Sequence, residues 1–70
     1  MLRKPVNSSN LESIGYDEDT SVLEIAFQGG GIYQYFNVPK GVYLDIMAAE
    51  SHGKFFHRHI KGQYLYEKIM

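Results

Sequence analysis

Residues 22 to 36 read VLEIAFQGGGIYQYF, and this stretch decides the fold. Leu23, Ile25 and Phe27 alternate with Val22, Glu24 and Ala26, the period of a half-buried strand with its apolar set facing inward. Gly29, Gly30 and Gly31 then reverse the chain, because glycine accepts positive φ without a steric cost. A second strand follows in IYQYF. A three-residue loop over the glycines pairs Phe27 with Tyr33 and Ile25 with Tyr35, which turns both tyrosines inward. A two-residue loop pairs Phe27 with Ile32, exposes the tyrosines and forces Gln34 into the core. Burying an unpartnered amide costs a few kcal/mol, whereas a tyrosine ring buries well with its hydroxyl at a rim. The first register is therefore favoured. It makes Tyr33 and Tyr35 core walls, and the exposed alternative makes them an open stacking platform for bases.

Outward from the hairpin, LESIGYD forms a preceding strand, and residues 1–10 form an extended lead-in rich in polar turn formers. Pro39 opens a helix running to about Ser51, with Val42, Tyr43, Ile46, Met47 and Ala49 on its apolar side and Gly53 as its stop. A second helix spans about Lys54 to Lys61. It groups Phe55, Phe56, His59 and Ile60 on one side and Lys54, His57, Arg58 and Lys61 on the other. Residues 62–70 form an extended or frayed tail that packs back through Tyr64 and Ile69. The expected fold is α+β over a single domain of residues 1–70: a three-stranded antiparallel sheet covered on one side by two helices, in the order βββαα.

Seventy residues bury only about 60% of their unfolded surface, so the large apolar side chains are committed to the core and function belongs on the surface. The absence of cysteine removes disulfides and thiolate metal sites and fits a reducing cytoplasm. No segment approaches a membrane span. A net charge of −1 argues against a strong general polyanion binder, but the distribution is uneven. Glu12, Asp17, Glu18, Asp19 and Glu24 form an acidic block, read as a solvated loop, whereas residues 54–61 hold Lys54, His57, Arg58, His59 and Lys61 and no acid.

Catalytic and metal patterns are weak. His57 and His59, two apart on a helix, diverge by about 200° and cannot share an ion, and His59 reads as a rim histidine held by a hydrogen bond. Ser51-His52 has no third member, and the three glycines lead into a strand rather than a phosphate-binding helix. No cofactor or metal is expected. The basic helix side is the one constellation with functional content: Lys54, Arg58 and Lys61, with His57 adding charge at low pH and Lys40 and Lys68 as extensions.

VNSSNLESIGYD, LEIAF, YQYFNVPKGVY, AAESHGKFF and HIKGQYLYEKI, in this order, resemble the KTSC domain, named for its place at the carboxyl end of some lysyl-tRNA synthetases. Its signature is the Tyr33/Tyr35 pair followed by Val38-Pro39 and Val42-Tyr43. The family also includes stand-alone bacterial and phage proteins. The resemblance carries no established biochemical function, and its synthetase context suggests RNA as a partner; with the one-sided basic helix, the expectation is a non-enzymatic module that binds tRNA or single strands through Lys54, His57, Arg58, Lys61, Tyr33 and Tyr35. Many members read Phe-Asn where this chain has Phe56-His57, which exchanges an amide tie for a titratable charge. The alternative is a protein-interaction module docking through Ile32, Phe36 and an unpaired sheet edge, an edge that also suits a weak homodimer.

Overall fold

The computed structural model describes residues 1–70 and has the order β1 (Arg3–Pro5), β2 (Leu11–Asp17), β3 (Val22–Phe27), β4 (Ile32–Tyr35), α1 (Lys40–Ala48), α2 (His52–His59) and β5 (Tyr66–Lys68). The five strands form one antiparallel sheet in sequence order. The α+β class, the antiparallel sheet and the two helices agree with the sequence reading, but the sheet has five strands where three were expected. The lead-in supplies β1, which pairs with β2, and the tail supplies β5, which pairs with β4. The tail therefore covers the β4 edge on which edge docking was expected, and the free edges are those of β1 and β5.

Leu11, Ile14, Leu23 and Ile25 point from the sheet toward the helices, and Ile46, Phe56 and Ile60 meet them from α1 and α2. The α1 helix starts after Pro39, whose extended backbone fits the turn into it, and its Tyr43 ring stacks on Tyr16 at 5.2 Å. The Tyr16 hydroxyl donates to the Val38 carbonyl at 2.6 Å, which ties β2 to the segment entering α1. Both helices are shifted from their expected bounds. Gly53 is no stop; it lies inside α2, where an added Cβ would meet the Asn10 amide at 2.9 Å. Ser51 accepts from the Lys54 N–H at 3.2 Å and caps α2, which starts at His52, two residues earlier than expected, and ends at His59, two residues short of Lys61. The Ser51-His52 pair is thus structural: His52 Nδ1 lies 2.7 Å from the Ile46 carbonyl at the end of α1.

The β3–β4 register matches neither expected pairing. Ile25 faces Tyr33 and Leu23 faces Tyr35, with Phe27 bonded to Gly31 across a turn of Gln28, Gly29 and Gly30. Gln28 enters the turn because its backbone donates to Asn10 and its side chain to Ser8 and Leu11. Gly30 and Gly31 take positive φ, as the reversal demands. The register differs from the favoured one by two residues, so every side chain keeps its expected face. Tyr33 and Tyr35 lie on the helix side, Glu24 and Gln34 on the other.

That other side is not simply solvated. Arg3, Gly15, Glu24, Gln34 and Glu67 form one row across the five strands. Arg3 reaches over Gly15 to pair with Glu24, and Gln34 donates to the same carboxylate at 2.9 Å. Glu24, read from the sequence as part of a solvated acidic block, is only 5% exposed. Its partner lies 21 residues away in sequence, beyond the reach of any local charge pattern.

Candidate functional site

Phe56 of α2 packs on Phe27 and Tyr35, and the β4–β5 end of the same face is open beside it. Tyr66 stands opposite Tyr35 on β5, with its ring 5.7 Å from Tyr35 and 5.9 Å from Tyr33. Phe27 meets Tyr33 edge-on at 5.5 Å and Phe56 at 5.2 Å. Together these rings line an open cleft of about 340 Å³, with Lys61 and the Gly30 turn at its sides. The tyrosines are unequal partners. Tyr35 is 5% exposed and forms the floor, whereas Tyr66 is 62% exposed and is the most accessible ring. Burial, followed by the neighbouring Tyr33 and Tyr66 phenols, pushes the Tyr35 hydroxyl up to about 12.

A second hollow of about 410 Å³ continues from the cleft, sharing Phe27, Phe56 and Lys61 and adding Asn10, Gln28 and His57. A third, polar hollow shares Asn10 and His57 with the second and ends at Lys54, Ser51 and Glu50. The three hollows adjoin one another, from the aromatic cleft past Lys61 and His57 to Lys54. Lys54 and His57 lie three residues apart on the exposed side of α2, and Lys61, expected on the same helix, lies in the turn that follows its end at His59. The structure thus brings Tyr33, Tyr35, Lys61, His57 and Lys54 together. Arg58 lies around the helix in a separate hollow with Phe55 and His59, which shares Glu50, Ser51 and Lys54 with the third hollow.

The cations differ in availability. Lys54, Arg58 and Lys61 are exposed and form no salt bridge, whereas Lys40 is paired with Glu18 at 3.0 Å and does not extend the patch. Lys68 stands cross-strand from Tyr33, and its stem and the Tyr33 ring both approach Gly31. His59 rests on the Phe55 ring at 4.6 Å; the histidine held by a hydrogen bond is His52. His57 lies in the second hollow beside Asn10 and against Phe56. No helix is long and apolar enough to cross a membrane. The residue that sequence reasoning missed is Tyr66. Its signal was the alternation of Tyr64 and Tyr66 in the tail, which acquires a face only when β5 pairs with β4.

A five-stranded antiparallel meander with two helices on one face, and an aromatic cleft continuous with a lysine-bearing helix, defines the class as a small α+β domain with a surface groove. The family model of the KTSC domain matches residues 7–64, and the chain belongs to that family. It is 41% identical to a protein of Tsukamurella paurometabola over 87% of this chain and 91% of that one. A lysine–tRNA ligase of Nostoc sp. is 40% identical over 97% of this chain, which spans only 12% of the ligase. The crystal structure of a KTSC domain protein from Yersinia pestis superposes with a TM-score of 0.97 at 48% identity, covering 99% of this chain and 97% of that one.

Proposed function

We propose that this KTSC-family protein is a non-enzymatic binding module for RNA, with the strand lying along α2 and its bases reaching the aromatic cleft. The observation that carries the reading is the succession of adjoining hollows, from the Tyr33, Tyr35 and Tyr66 rings past Lys61 to Lys54. Binding of single strands without strict sequence preference needs these two components together: cations that follow the backbone and π-faces on which bases stack. Lys54 and Lys61 have no internal acid partner to displace. The relative in Nostoc sp. is a lysine–tRNA ligase, which makes tRNA the first RNA to try.

The competing reading, apolar protein docking on Ile32 and Phe36, has less support. Both residues are half-buried, β5 covers the β4 edge, and Arg3, Glu24 and Gln34 occupy the centre of the open sheet face. The two readings separate on charge. The double variant Lys54→Glu and Lys61→Glu should lose tRNA and single-strand binding in fluorescence anisotropy at low salt, and Lys40→Glu should keep it. Binding that survives the double reversal contradicts the RNA reading and favours apolar docking.

A further inference from the structure

The aromatic cleft has a composition that discriminates among planar and apolar ligands. Five rings surround it, but Tyr35 and Phe56 are buried, so the π-faces open to a ligand belong to the exposed Tyr66 and the half-buried Tyr33 and Phe27. A cage for a quaternary ammonium would use the same rings, but Lys61 lines this cleft and Lys68 stands cross-strand from Tyr33. Two cations beside the rings repel a cationic guest and favour a flat group that carries its own anion. The volume of about 340 Å³ lies at the small end of ligand sites, which run from about 300 to 1,000 Å³, and suits one ring system with its sugar. The glycine at position 30 presents backbone at the wall, leaving room for close approach.

We infer that the cleft seats one unpaired nucleobase stacked on the exposed Tyr66 ring beside Tyr33, with the adjoining phosphate on Lys61 and the next toward Lys54. The inference rests on the RNA reading above and adds to it a footprint and a specificity. Lys54 lies in the first half of α2 and Lys61 in the turn that follows its end at His59, so the backbones of the two are separated by no more than the length of that eight-residue helix, about 12 Å. The footprint is therefore at or below about four nucleotides, the lower limit for an OB fold. Duplex RNA, whose bases stay stacked in the helix, is excluded from the cleft. The exposed ring that makes the seat is supplied by β5, a three-residue strand with all its residues exposed. Filling the cleft should therefore also hold β5 against β4.

The test is NMR with the intact protein and four probes: adenosine monophosphate, ribose 5-phosphate, a single-stranded pentanucleotide and a proline-rich peptide. The nucleotide and the pentanucleotide should shift resonances of Gly30, Tyr33, Lys61 and Tyr66, and ribose 5-phosphate should leave the rings unmoved. Tyr66→Leu keeps apolar bulk but removes the π-face, and it should weaken pentanucleotide binding on the order of tenfold. Tyr66→Phe should restore it. If the pentanucleotide binds along α2 while the nucleotide is silent and Tyr66→Leu is neutral, the base seat is wrong and the RNA reading stands. If no RNA binds, both fall together. If the peptide alone occupies the cleft, the guest is an apolar peptide and the inference is overturned.

Discussion

The guanidinium of Arg3 reaches across Gly15 to the buried carboxylate of Glu24, joining the first strand to the third over the unhelical face of the sheet. Burial pushes the Glu24 carboxyl up, but the bonds from Gln34 and Arg3, the Arg3 charge and the amino terminus prevail and hold it below its ordinary value. A carboxyl depressed in the folded state contributes stability that is complete above its unfolded value, about 4.3, and is lost as pH falls through the folded one. Arg3→Met should cost about 2–3 kcal/mol near neutrality, below the roughly 3–5 of a fully buried pair because Arg3 is partly exposed. It should also shrink the difference in urea midpoint between about pH 7 and about pH 3. An unchanged midpoint at neutral pH would show that β1 is held by its ladder alone.

Gly15 makes that crossing possible by leaving its place empty. A Cβ there would lie 2.6 Å from the Leu2 carbonyl and 3.1 Å from the Arg3 stem. Gly15→Ala should therefore push β1 off the sheet, at a cost of about 1–3 kcal/mol, with hydrogen-exchange protection lost at Arg3 and Lys4 but kept in β3. Protection that survives in β1 would show that the strand yields without separating.

Tyr35 predicts an alkaline effect of opposite sign. Its hydroxyl is raised to about 12, so the folded state keeps a proton that the unfolded chain releases near 10. The stability linked to this group is complete below about 10 and declines as pH rises toward the folded value. In an ultraviolet titration the Tyr35 phenolate should appear last, and Tyr35→Phe should remove that late step and reduce the alkaline loss of stability. A variant with the same late step would assign it to another tyrosine.

The readable parts of this fold are those with a repeating local signal. β2 and β3, the second strand of the hairpin and both helices show in the alternation of Leu23, Ile25 and Phe27 and the helical spacing of Phe56 and Ile60. β1 and β5 carry no such signal. Each has three residues, one contains Pro5, and they are strands only because β2 and β4 offer unpaired edges. The faces of Tyr33 and Tyr35 came from the cost of burying Gln34, an argument that survives a two-residue slip in register. The slip itself arises from bonds between Gln28 and Ser8, Asn10 and Leu11, which no local pattern announces. The candidate site divides in the same way. Lys54 and His57 are visible as a helical stripe and Lys61 follows just past the helix end, but Tyr66 joins them only through pairing of the chain end.

The central claim is that α2 and the aromatic cleft form one RNA-binding groove, and an amide chemical-shift titration with a short single-stranded RNA tests it most directly. At low salt, shifts should cluster on Gly30, Tyr33, Lys54, His57, Lys61 and Tyr66. Affinity should fall with salt at a slope near −1.4 for about two phosphates, and Lys61→Ala should reduce that slope by about 0.7. An absence of shifts along residues 54–61 at low salt, or shifts confined to Ile32 and Phe36, would contradict the account.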